Sequence, residues 1–119
     1  MARPLRIVYE GAFYHITARG NERKKIFVSD TDYEKFLSYL TDTLQKYDVI
    51  LHSYVLMANH YHLIAETPKA NLSAFMHDLG SSYTTYFNLK RRRAGHLFQG
   101  RYKAFLIDVD NYLLELLGT

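Results

Sequence analysis

The chain has 119 residues, 48% of them hydrophobic, and a net charge of +3. That length and apolar content suit one domain with a real core and argue against whole-chain disorder. The absence of cysteine excludes a disulfide frame and a thiolate metal site, and no apolar run approaches the roughly 20 residues of a membrane-spanning helix.

The N-terminal Met1-Ala-Arg-Pro lacks the apolar core of a signal peptide, so the cytoplasm is the expected compartment and no membrane partner is expected. Phe13 to Ala18 alternates and is rich in β-formers, which predicts a first strand. Gly20-Asn21 then punctuates a basic loop. Ser29 or Asp30 is expected to cap a helix, with Asp32 and Glu34 favourable in its first turn. Tyr33, Phe36, Leu37, Leu40 and Leu44 recur at helical spacing as far as Tyr47. Ile50 to Met57 and His60 to Glu66 read as two strands of a hairpin turning at Ala58-Asn59, with Pro68 closing it. Asn71 or Ser73 is expected to cap a second long helix. Its stripe of Leu72, Phe75, Met76, Leu79, Tyr83 and Tyr86 or Phe87 reads as core. The Lys90 to Arg93 block and Gly95 end that helix. Leu97 to Ile107 is predicted to hold a fourth extended segment, interrupted at Gly100, before Asp108 or Asp110 caps a last turn or two over Tyr112 to Leu117.

The order strand, helix, strand, strand, helix, strand predicts an α+β, ferredoxin-like split β-α-β (βαββαβ) fold. It consists of an antiparallel sheet with two helices on one face, a single domain over residues 1–119. Many unrelated activities use that fold, so it assigns none.

The sharpest local feature is His60-Tyr61-His62. Strand side chains alternate, so His60 and His62 share a face and Tyr61 points away. Two imidazoles so spaced can reach one divalent ion and need no deprotonation near neutral pH. They leave open positions for water and a phosphate oxygen, which suits a metal acting on a phosphodiester. Glu66, further along the same face, is a candidate extra ligand. On the residues alone, a metal site and a chance histidine pair stand about even. His15, on the first strand with Phe13 and Thr17 on its face, reads as a hydrogen-bonded core histidine ahead of a support for the metal. His52 is equally open, and nothing in the spacing of His77 or His96 suggests ligation. Arg19, Arg23, Lys24 and Lys25 form one basic block. Lys90 to Arg93 form another, with Arg101 and Lys103 behind it. Either alone reads as a solvated loop, while two with aromatics between them point toward phosphate binding. Arg19, Asn21, Arg23, Arg91, Arg92, Arg93, Arg101 and Lys103 are the candidate phosphate contacts of a nucleic acid, with Phe98, Gln99 and Tyr102 for bases.

Four segments carry a resemblance: Met1-Ala-Arg-Pro-Leu-Arg6, Tyr14-His-Ile-Thr-Ala-Arg-Gly-Asn21, Leu56-Met-Ala-Asn-His-Tyr-His-Leu63 and Gly95-His-Leu-Phe-Gln-Gly-Arg-Tyr-Lys103. Together they resemble the IS200-like, REP-associated group of single-tyrosine HUH transposases over essentially the whole chain. The resemblance implies Mg²⁺ or Mn²⁺ on His60 and His62, with Tyr61 as the hydrophobic residue between them. It also implies single-stranded or hairpin DNA as partner, and cleavage and rejoining through a 5′-phosphotyrosine. A phenol of pKa near ~10 needs such activation to attack.

One departure follows from the same resemblance. The family's nucleophile comes after a segment like Asn111-Tyr-Leu-Leu-Glu-Leu116, and the tyrosine position falls at Thr119. The chain is therefore expected to be truncated before the tyrosine helix is complete, and cleavage-deficient. Tyr83 and Tyr86 stand as fallback nucleophiles, although their stripe favours a buried role. The rival readings are a non-catalytic DNA-binding or regulatory remnant of a mobile element, and an unrelated RNA-binding module with aromatic pairs on the open sheet face. A homodimer and pairing with a full-length transposase both remain open as the assembly.

Overall fold

Alternation decides the sheet. The computed structural model describes residues 8–110. In strand β1, Ala12–Arg19, the residues Ala12, Tyr14, Ile16 and Ala18 are buried while Phe13, His15, Thr17 and Arg19 face the other way. In the hairpin of β2 (Ile50–Met57) and β3 (His60–Thr67), β3 repeats the rule, with Tyr61, Leu63, Ala65 and Thr67 buried and His60, His62, Ile64 and Glu66 opposite, whereas β2 has no buried residue and pairs with β3 through a register shift between Leu51 and Ser53. With β4, Lys103–Ile107, the sheet has the order β2-β3-β1-β4, and all neighbours are antiparallel. That is the ferredoxin-like arrangement the element order predicts.

Helices α1 (Asp30–Tyr47) and α2 (Leu72–Arg91) cover the buried face. Between them and the sheet, Phe36 packs against Tyr61 and Tyr83, with ring centroids 4.8 and 5.3 Å apart. The apolar stripe of α2 is core as expected, with Leu72, Phe75, Met76, Leu79, Tyr83 and Phe87 buried. Ser29 and Asn71 are the caps. Among the described residues no helix is long and apolar enough to cross a membrane.

Asp32 ties the two helices together. It is fully buried, and its Oδ2 accepts the Val28 and Ser29 backbone N–H groups at 2.9 and 3.2 Å. Arg91 reaches both carboxylate oxygens, Tyr86 donates its hydroxyl at 2.8 Å, and Lys90 stands at 3.3 Å. Burial alone would raise this carboxyl. The Val28 amide, Arg91, Tyr86 and Lys90 together hold it well below the usual carboxylate range.

The fourth extended segment is shorter than the run from Leu97 suggests. Gly100, inside the run, adopts a φ of 59°, which breaks it. Phe98 makes only an isolated bridge to Gly20, and regular pairing with β1 begins at Lys103. The expected turns over Tyr112 to Leu117, and Thr119, lie outside the described residues.

Candidate functional site

Three loops meet at one end of the sheet and fix the start of β3. The Gly20 amide donates to Asn59 O at 2.8 Å, and the Ile26 and Phe27 amides both donate to Ala58 O at 2.8 and 3.1 Å. From the other side, the Asn21 amide reaches Leu97 O and the Gln99 amide reaches Arg19 O, both at 2.8 Å. Gly20 is required here, because a Cβ would sit 2.1 Å from Lys24 O. The turn that presents His60 is therefore clamped by backbone rather than left as a free hairpin end.

Register sets what surrounds the histidines. On β1, Arg19 stands opposite His60 and Thr17 opposite His62; on β4, Lys103 stands opposite Thr17. Both imidazoles lie on the sheet face that the helices leave open. Their rings are 5.1 Å apart and nearly perpendicular. A shallow cavity of about 270 Å³ over them is lined by Thr17, Arg19, His60, His62, Gln99, Arg101 and Lys103, with Ala18. Three of the cations singled out from the sequence thus converge on the histidine pair.

The hydrogen bonds define which nitrogens are available. His60 donates Nδ1–H to Asn59 Oδ1 at 2.8 Å, and Asn59 in turn donates its amide to Arg23 O at 3.3 Å. His62 Nδ1 lies 3.0 Å from His15 Nε2. Each ring has its Nδ1 engaged, and neither Nε2 has a hydrogen bond among the described residues. Burial first, then the neighbouring imidazoles of His15 and His60, push His62 below the ordinary histidine value. A neutral, lone-pair-bearing ring is the form that ligates a cation. Among the described residues no group of three or more His, Cys, Asp or Glu side chains is arranged around one ion. Two imidazoles are an incomplete donor set, so an ion held there would need water or phosphate oxygens at its remaining positions.

Other candidates are placed elsewhere. Glu66 stands four residues beyond His62, about 13 Å along the strand at ~3.3 Å per residue. It accepts a hydrogen bond from His52 Nε2 at 3.1 Å. Tyr83 is fully buried and donates its hydroxyl to Ile26 O. Burial, then the charge of Asp32, raises its phenol far above the ordinary value. Tyr86 is bound to Asp32. Both tyrosines lie behind the sheet from the histidines. Arg91 is spent on Asp32, with its Cζ 4.1 Å from the centre of the Phe87 ring. Arg93 bonds Asn88 Oδ1 and His96 O. Arg92, at the end of α2, and Arg23 are exposed at left-handed backbone positions, and Asn21 is exposed in the same loop as Arg23.

A larger groove of about 790 Å³ adjoins the site and shares Ala18 and Arg101 with it. One wall is the face of α2 bearing Ser73, His77, Gly80, Ser81, Thr84 and Thr85; the other is the Gly95 to Tyr102 segment. A Cβ on Gly80 would meet nothing within 4 Å. This groove is absent from any reading of the sequence, because it depends on how the segment after α2 folds back along it. Asn59 was equally hidden as an orienting group, its only signal being its place before His60 in the turn.

The family model described as Transposase IS200 like matches residues 8–115. Among solved structures, the chain resembles a REP-associated tyrosine transposase bound to a REP hairpin, with a TM-score of 0.79 and 16% identity over 97% of this chain and 68% of that one. It also resembles a putative transposase from Deinococcus radiodurans R1, with a TM-score of 0.66 and 16% identity over 99% of this chain and 96% of that one. No curated protein sequence matches the chain significantly.

Proposed function

Because the chain belongs to the IS200-like transposase family, we propose that its open sheet face binds single-stranded or hairpin DNA, with His60 and His62 holding Mg²⁺ or Mn²⁺ against a backbone phosphate. The observation that carries this reading is the pair of imidazoles with engaged Nδ1 and available Nε2, ringed by Arg19, Arg101 and Lys103. The resemblance to a transposase bound to a REP hairpin supports a hairpin as the form of DNA.

Each residue has a distinct task. His60 and His62 would hold the ion, which when bound polarises the phosphate and offsets charge that builds up in its displacement. Arg19, Arg101 and Lys103 neutralise the phosphates on either side. Arg23, Asn21 and Arg92 extend the contact along the rim. Arg91 and Arg93 act mainly in folding, through Asp32 and through Asn88 and His96. From the histidines the strand continues past Arg101 into the groove along α2, where Phe98 and Tyr102 offer rings for base stacking.

Residues 1–119, as one domain, are proposed to bind DNA without forming a phosphotyrosine. Tyr83 and Tyr86 are turned away from the histidines and tied to Ile26 and Asp32. On the resemblance of the Asn111 to Leu116 segment we place the family's tyrosine position at Thr119, whose alkoxide is harder to form than a phenoxide. Titration of an oligonucleotide hairpin at several salt concentrations tests the binding half, and salt-independent affinity would count against it. A covalent protein–DNA adduct on a denaturing gel with Mn²⁺ would overturn the second half.

A further inference from the structure

We propose that His15 is a positioning residue for the histidine pair: its Nε2 accepts a hydrogen bond from His62 Nδ1 and so keeps the His62 lone pair on Nε2, facing the open cavity. The inference rests on the reading of His60 and His62 as ligands, and it concerns how the second of them is aimed.

Strand register brings the two rings together across 47 residues of sequence. His15 pairs with Ile64 and His62 with Thr17, so the histidines are diagonal neighbours on the open face of β1 and β3. Their nitrogens are 3.0 Å apart and their ring centroids 5.1 Å apart. On its other side, the His15 ring lies 6.3 Å from that of Phe105 on β4.

A hydrogen bond between two neutral imidazoles has two arrangements. If His15 donates, its Nε2–H points at His62 Nδ1 and the His62 proton must sit on Nε2. The ring then presents a proton, not a lone pair, to the cavity. If His62 donates, its proton is on Nδ1, its Nε2 is free to ligate, and His15 carries its own proton on Nδ1. A cation on His62 Nε2 selects the second arrangement, because withdrawal of charge through the ring makes Nδ1–H a better donor. The bond and the ion therefore strengthen each other.

The other ligand shows the same device built from different parts. Asn59 Oδ1 can only accept, so His60 must carry its proton on Nδ1 and its lone pair on Nε2. Asn59 is itself held by Arg23 O. Each ligand ring thus has an acceptor at Nδ1, one from the turn and one from the neighbouring strand.

The test uses the intact chain with Mn²⁺ alone as probe, followed by electron paramagnetic resonance, together with ¹⁵N spectra of the imidazoles. His15→Ala removes the acceptor. His15→Gln returns one, since Oε1 lies near the reach of Nε2. Mn²⁺ affinity should fall about 10- to 100-fold in His15→Ala and recover largely in His15→Gln. His62 should be the Nδ1–H tautomer in the wild-type chain and a mixture in His15→Ala, with both variants folded by thermal melting. Wild-type affinity in His15→Ala, or three imidazole nitrogens coupled to Mn²⁺ in the wild-type chain, would overturn the proposal; the second result would make His15 a ligand. Failure of the ligand reading itself looks different: His60→Ala would leave Mn²⁺ binding unchanged, while the His62 tautomer would still report on His15.

Discussion

The two faces of the sheet carry the same kinds of side chain to different ends. Behind it, Arg91, Lys90, Tyr86 and Asp32 form a closed network, each group answered by another. In front, His60, His62, Arg19, Arg101 and Lys103 gather around an open cavity. An arginine next to a tyrosine reads as chemistry in a sequence, but burial and partners decide whether it is structure or site. The contrast teaches that unspent hydrogen-bonding capacity separates a candidate functional face from a structural one, and the following substitutions break it or sharpen it.

The largest effect belongs to the closed face. Asp32→Ala leaves Arg91 without its buried partner and should cost about 3–5 kcal/mol in urea unfolding. The folded fraction should still bind Mn²⁺. The pH dependence has a definite sign. Asp32 is held well below its ordinary 3.8, so its contribution is fully present above that value. It is lost as pH falls below it, and acid unfolding of Asp32→Asn should show a shallower slope there than the wild-type chain.

Gly20→Ala comes next. Its Cβ meets the Lys24 carbonyl, a backbone atom that cannot swing aside. The loop must shift, at a cost of about 1–3 kcal/mol. Because that loop clamps the Ala58-Asn59 turn, hairpin affinity should fall along with the melting temperature. A variant that melts early but binds normally would uncouple the clamp from the site.

Gly80→Ala moves the two properties in opposite directions. A mid-helix glycine replaced by alanine should add about 0.8–1 kcal/mol of stability, since its Cβ meets no protein atom. If a strand lies against α2, the added methyl narrows its groove and hairpin affinity drops. Unchanged affinity in the stabilised variant would remove the groove from the DNA path.

Arg101→Ala gives the smallest change in stability, within about 0.5 kcal/mol for an exposed side chain. Its signature is electrostatic: the slope of log affinity against log salt should become shallower by about 1. Arg91→Ala is the matched control, destabilising the chain with little change in that slope.

How much of this could be read from the sequence follows from the range of each interaction. The strands, both long helices and the caps Ser29 and Asn71 depend on neighbours a few residues apart, and β2 runs from Ile50 to Met57 as the pattern indicates. The shared face of His60 and His62 follows from alternation alone. The bond between His15 and His62, and that between Asp32 and Arg91, join residues 47 and 59 apart in sequence, and no local pattern encodes them. That is why Arg91 looked like a phosphate contact and His15 like a core residue. The interruption at Gly100 was legible from the glycine itself, and regular strand starts after it, at Lys103.

The central claim is that the metal and the DNA belong to the open face, at His60 and His62. The most direct test is paramagnetic broadening of assigned side-chain resonances as Mn²⁺ is added to the intact chain. The account predicts early loss of the His60 and His62 ring signals, then of Arg19 and Arg101, with Tyr83 and Tyr86 unaffected and the whole effect abolished in the His60→Ala, His62→Ala double variant. Broadening centred on His52 and Glu66, or persisting in the double variant, would contradict it.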